Sequence, residues 1–76
     1  MNALEMIQTI FREIFDDPAL VIDAATSPGT LPEWDSVAQV HIVLAVEEAF
    51  AMRFTTDEEA KLHAVSDLLA ILASRA

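Results

Sequence analysis

The stretch Leu31-Pro32-Glu33-Trp34-Asp35-Ser36-Val37, running on into Ala38-Gln39-Val40-His41-Ile42-Val43-Leu44-Ala45-Val46-Glu47-Glu48-Ala49-Phe50, carries the chain from a proline-marked loop through an Asp-Ser pair into a helix. The spacing predicts that helix from about Ser36 to Met52. Asp35 is its expected cap, with the carboxylate accepting a backbone N–H of the first turn. At about 100° per residue, Ala38, Ile42, Ala45, Val46, Ala49 and Phe50 fall on one face, with Val43 at its edge. That face is expected to enter a core. Ser36, Val37, Val40, His41, Leu44, Glu47, Glu48 and Ala51 fall on the other side. A helix that merely faced water would be polar there. Instead Val37, Val40 and Leu44 cluster, rimmed by Asp35, Glu47 and Glu48, as a binding surface is. Burial of both faces is the competing explanation, but a 76-residue chain has little left to cover a second face. Ser36 lies at the helix tip, where free N–H groups and the positive dipole end suit a phosphate. Asp-Ser is also an ordinary capping pair.

Working outward, the single glycine and all three prolines lie between Pro18 and Pro32. The rest reads as helix, without strict alternation of the strand kind. A first helix is expected from about Ala3 to Phe15, capped by Asn2 with Glu5 three residues on. Leu4, Ile7, Ile10, Phe11, Ile14 and Phe15 form its apolar side. A long loop follows, from about Asp16 to Trp34, with Leu20, Val21, Ile22 and Leu31 available to hold it down. Beyond the second helix, a short third one is expected over Asp57 to Ala60 with Thr56 as cap. The last helix is expected from about Val65 to Ser74, with Val65, Leu68, Leu69, Ile71 and Leu72 as its stripe. Asp67 and Arg75 complement its dipole. The fold class is therefore all-α: a small four-helix bundle with three main helices, one short helix and a long first loop. One domain over residues 1–76 is expected.

Composition narrows the function. Four basic against thirteen acidic residues give a net charge of −9, while 54% of the chain is hydrophobic. It is too apolar for a disordered acidic tail. Nucleic acid and anionic membrane surfaces are disfavoured, because both attract Lys and Arg. A partner with a basic patch is favoured. Without cysteine, disulfides and thiolate metal sites are excluded. No apolar run of spanning length and no signal-peptide pattern occurs, so a soluble cytoplasmic monomer is expected.

The stretch from Leu31 to Val37, followed by a helix ending Val46-Glu47-Glu48-Ala49-Phe50, closely resembles the acyl carrier proteins, whose attachment motif is Asp-Ser-Leu. Phe54-Thr55-Thr56-Asp57-Glu58-Glu59-Ala60 is similar to the family's link into its short third helix. Ala64-Val65-Ser66-Asp67-Leu68 is similar to the start of its last. The likeness covers nearly the whole chain and implies a bundle of acyl-carrier type. It implies that Ser36, beside Asp35, receives 4′-phosphopantetheine from coenzyme A through a phosphopantetheinyl transferase. It implies a thioester cargo on the arm's thiol, in fatty acid, polyketide, aminoacyl or lipid-modification chemistry. Val37, Val40, His41, Leu44, Glu47 and Glu48 match positions that dock on basic patches of partners: the transferase, an acyl-loading ligase or transferase, and downstream biosynthetic enzymes. Ala45, Val46 and Phe50 match the interior where a chain is sheltered. The protein would be a carrier acted on by enzymes, not itself a catalyst. Val37 replaces the usual Leu, and His41 replaces a commonly acidic residue. Trp34 before Asp-Ser resembles a subset of discrete carriers of specialised pathways.

Other chemistries fit less well. In a hydrolase built on Asp35, Ser36 and His41, adjacent Asp and Ser cannot both orient one imidazole, and His41 lies about 140° around the helix from Ser36. His41 and Glu48 are too few for a metal site. Asp16, Asp17 and Asp23 lack the spacing of a calcium loop. The remaining alternative is a carrier-like interaction module without a prosthetic group.

Overall fold

The computed structural model describes residues 2–75, which form four helices in the order α1 (Ala3–Ile14), α2 (Ser36–Ala49), α3 (Thr56–Ala60) and α4 (Val65–Ser74). Among the described residues there is no strand. The all-α, four-helix expectation holds, and each element begins for a local reason. Asn2 accepts the Glu5 N–H at 2.8 Å and caps α1. Asp35 accepts the Ala38 N–H at 2.8 Å and caps α2. Each such cap contributes roughly 1 kcal/mol. The cap of α3 is Thr55, one residue before the expected Thr56. Thr55 and Glu58 exchange side-chain to backbone bonds of 3.1 and 2.9 Å, a full capping box, while Thr56 is already helical. At α4, Asp67 reaches back to accept the N–H groups of His63 and Ala64, at 2.8 and 3.0 Å.

α3 and α4 end at Ala60 and Ser74 as expected, whereas the first two helices end early. α1 stops at Ile14 and α2 at Ala49, not at Phe15 and Met52. Asp16 and Ala51 then take positive φ, 49° and 51°. Around each, two backbone bonds close a Schellman turn: Asp16 to Glu13 and Asp17 to Arg12, then Ala51 to Glu48 and Met52 to Glu47. Glycine usually takes this place, and its absence at Ala51 hid the α2 stop from the sequence, whereas Asp16-Asp17-Pro18 marks the end of α1 to within one residue.

One core unites the helices. Ile7, Phe11, Ile42, Val46, Val65 and Leu68 are fully buried, each contributing roughly 1.5–3 kcal/mol. α1 packs against α2 and α4. The faces of α1 and α4 lie as expected, with Leu4, Ile14, Phe15, Leu69, Ile71 and Leu72 partly covered. On α2, Val43 belongs to the core outright, whereas Ala49 is exposed beside the helix end.

The long loop is pinned mainly by polar groups. Gln8 of α1 donates to the Leu20 carbonyl and accepts from the Ile22 N–H, at 2.6 and 2.9 Å. Arg12 Nε donates to the same carbonyl at 2.7 Å. Val65 and Ser66 N–H groups donate to Thr26 and Ala24, so the loop also completes the start of α4. Ile22 is buried, and Leu20 and Leu31 are partly so. Val21 is not an anchor: it is 77% exposed. Trp34 is the larger one. It is buried, edge-on to Phe11 with ring centroids 5.2 Å apart.

Candidate functional site

Ser36 is the first residue of α2 and is exposed. Its neighbour Asp35 is extended, and the Asp35 carboxylate folds back onto the Ala38 N–H. The acid therefore holds the helix tip while Ser36 faces outward. Behind the pair, Trp34 is anchored in the core and donates its indole N–H to Gln39 Oε1 at 2.6 Å. This contact had no signal in the apolar periodicity, because Gln39 is the single amide on α2.

The outward face of α2 is apolar as expected. Val37, Val40 and Leu44 are 67%, 57% and 58% exposed. His41 and Glu48 are exposed beside them. Glu47 differs. It is half-buried, and its Oε2 accepts the Phe54 N–H at 2.8 Å. Its backbone carbonyl also accepts the Met52 N–H at 3.0 Å. Glu47 thus staples the turn between α2 and α3, a role that the helical wheel could not reveal.

Three clefts border α2 near Ser36. That on the α1 side, of about 220 Å³, is lined by Phe15, Asp35, Val37 and His41. Two others lie away from α1. One, of about 260 Å³, lies beside Ser36 against Pro28, Trp34, Gln39 and Leu62. The other, of about 250 Å³, lies between α2 and α3, with Val40, Val43 and Leu44 as its walls and Glu47 and Glu59 at its edge. The residues expected to line the interior do so, with Ala45 and Phe50 packed against the core. Val46 is wholly buried in the core. Phe50 lines a larger cleft, of about 660 Å³, with Met52, Leu69 and Leu72. Phe50 is fourteen residues from Ser36, about 21 Å along a helix.

The rival chemistries gain nothing. The Asp35 carboxylate is committed to the cap, so it does not orient His41. Among the described residues, no group of three or more His, Asp or Glu could hold a metal. Among them, too, no helix is long and apolar enough to cross a membrane.

No family model matches the sequence. A curated relative does: acyl carrier protein 3 of Ralstonia nicotianae is 37% identical, over 97% of this chain and 90% of its own length. Among solved structures, the solution structure of holo acyl carrier protein from Geobacter metallireducens superposes with a TM-score of 0.86. It is 30% identical, over 97% of this chain and 85% of that one. Agreement of sequence along nearly the full length of both proteins, on one shared four-helix architecture, reflects common descent, and the chain belongs to the acyl carrier protein family.

Proposed function

We propose that this carrier, a single domain, takes 4′-phosphopantetheine on Ser36 and presents a thioester cargo to partner enzymes. The observation that carries the reading is the exposed Ser36 at the tip of α2, next to the unburied Val37, Val40 and Leu44. The residues fit the group. The hydroxyl is reachable, the Asp35 carboxylate is turned away into the cap, and an amide-containing arm has a cleft to follow. In the loading step, Ser36 Oγ forms a bond to the phosphorus that bears the pantetheine. The pyrophosphate bond of coenzyme A breaks, adenosine 3′,5′-bisphosphate leaves, and the serine proton passes to the transferase. The attached arm supplies a terminal thiol, which holds the cargo as a thioester. This chain's own part is to expose the serine, to orient the helix tip through Asp35, and to offer a docking face.

That face consists of Val37, Val40, His41 and Leu44, with Glu48 as its free acid. Glu47 adds charge at the cleft edge while holding the turn. Basic patches on the phosphopantetheinyl transferase, the acyl-loading enzyme and downstream biosynthetic enzymes are the matching surfaces. Nucleic acid and membrane are not partners on this reading, and the carrier works as a cytoplasmic monomer.

The test is mass spectrometry after incubation with coenzyme A and a broad-specificity phosphopantetheinyl transferase. Wild type gains one phosphopantetheine and Ser36→Ala gains none. If several active transferases leave the wild-type mass unchanged, the chain is an interaction module without a prosthetic group.

A further inference from the structure

Ser36, Gln39, Val43 and Glu47 follow one another at steps of three and four, so they form a row down α2. Each member is about 5–6 Å from the next between Cβ atoms. The row differs from the docking face, and it borders the two clefts that lie away from α1. Gln39 lines the cleft beside Ser36, and it also lines the cleft between α2 and α3. It is the residue that the two clefts share.

Its orientation is fixed from below. Trp34 is buried and wedged edge-on against Phe11, so the indole does not follow Gln39. An indole nitrogen only donates, so the Gln39 atom 2.6 Å away is the carbonyl oxygen. The amide nitrogen is thereby turned the other way, with two N–H donors for a ligand in the clefts. A pantetheine arm carries two amide carbonyls, which are acceptors. Beyond Gln39 the next cleft is walled by Val40, Val43 and Leu44, which suits an apolar chain.

We infer that Gln39, locked by Trp34, is a binding residue for the Ser36-borne arm: its Nε2–H donates to an arm carbonyl between the two clefts and steers an apolar cargo into the second. The inference rests on the phosphopantetheine reading above. Trp34 acts through Gln39 and is a positioning residue.

The experiment loads wild type, Gln39→Leu and Trp34→Phe from coenzyme A and from octanoyl-coenzyme A, with mass spectrometry as the loading control. Two readouts follow. The first is the ¹H–¹⁵N signal of the Gln39 side-chain amide in apo, holo and octanoyl wild type. The second is the rate at which hydroxylamine cleaves the octanoyl thioester. All three proteins should load. The Gln39 amide signal should move on loading. Gln39→Leu should lose its thioester about fivefold faster than wild type, the effect of one neutral hydrogen bond. Trp34→Phe, which keeps the ring and loses the N–H, should fall between them. If Trp34→Phe does not fold, Gln39→Leu decides alone, since Gln39 is only half-buried. Full loading with an unmoved Gln39 amide, or with equal cleavage rates, overturns the inference and leaves Ser36 as the attachment site. No loading at all overturns both.

Discussion

Glu47 and Glu48 are adjacent and look equivalent in the sequence, yet their environments divide them. Glu48 is exposed, whereas Glu47 accepts the Phe54 N–H from a half-buried position. Glu48→Lys should therefore slow loading by the transferase at low salt while leaving stability within about 0.5 kcal/mol. An unchanged loading rate would place the docking charge elsewhere. Glu47→Ala should in addition lose stability, leaving the Phe54 N–H without its acceptor at a cost of about 1–3 kcal/mol in urea unfolding. Glu47→Gln keeps an acceptor and should recover most of that loss. A third acid has a different task. Glu58 receives the Thr55 N–H and pairs with Arg75, tying α3 to the end of α4. The Thr55 backbone bond, followed by the Arg75 charge, holds its carboxyl below the ordinary value of 4.5. Because the folded chain favours the carboxylate, this contribution is fully present above that value. It is lost as pH falls through the lower, folded pKa. Melting curves of wild type and Glu58→Gln should differ near neutral pH and converge in acid below 4.5. A gap that persists in acid would mean that Glu58 acts through packing instead.

At the scale of elements, every helix boundary but the end of α2 was legible to within one residue. Asn2 and Asp35 are capping residues standing directly before apolar periodicity, and both cap as read. The cap of α3 slipped by one residue, because Thr55 and Thr56 are alike in type. Each has a glutamate three residues on, Glu58 for Thr55 and Glu59 for Thr56, and the folded chain closes the box with Thr55 and Glu58. The ends of α3 and α4 fall at Ala60 and Ser74 as expected, and that of α1 within one residue, whereas α2 ends three residues early because Ala51 takes the left-handed conformation without being glycine. The chain's glycine, Gly29, has no positive φ at all. The same reliance on apolar pattern missed Gln8, Arg12 and Trp34–Gln39, which fix the long loop and the helix tip by polar contacts. It also credited Val21 with an anchoring role that the exposed side chain does not play. The α2 stop has a measurable consequence. Left-handed backbone costs a residue with a Cβ about 1–2 kcal/mol. Glycine removes most of that strain but loses some unfolded-state restriction in return. Ala51→Gly should therefore stabilise the bundle by about 1 kcal/mol in urea unfolding, without altering loading at Ser36. A destabilised variant would show that the Ala51 methyl, which lines the far cleft with Phe50, contributes more by contact than its φ costs.

Over the whole molecule, the few cations are not spread as a counterweight to the acids. Arg12 Nε is committed to the Leu20 carbonyl, and Arg75 is paired with Glu58. Positive charge thus serves the fold in at least two of the four cases, while most of the thirteen acids are left at the surface. The net charge of −9 should then act in two directions at once. Within the chain, like charges repel and weaken the compact state. Toward a basic partner, the same field draws the two proteins together and speeds encounter. Salt screens both, with the Debye length falling from about 30 Å at 0.01 M to about 8 Å at 0.15 M. Raising sodium chloride over that range should therefore raise the melting temperature of the free carrier and, in the same buffers, slow its loading by the transferase. The contrast matters because a salt effect on the enzyme's stability alone would not reproduce it. Glu48→Lys removes one surface acid and adds a base, so it should flatten both salt responses together. If the melting temperature fell with salt while loading slowed, self-repulsion would not be the dominant electrostatic term in the folded chain. Its stability would then rest on attractive pairs of the Glu58–Arg75 kind.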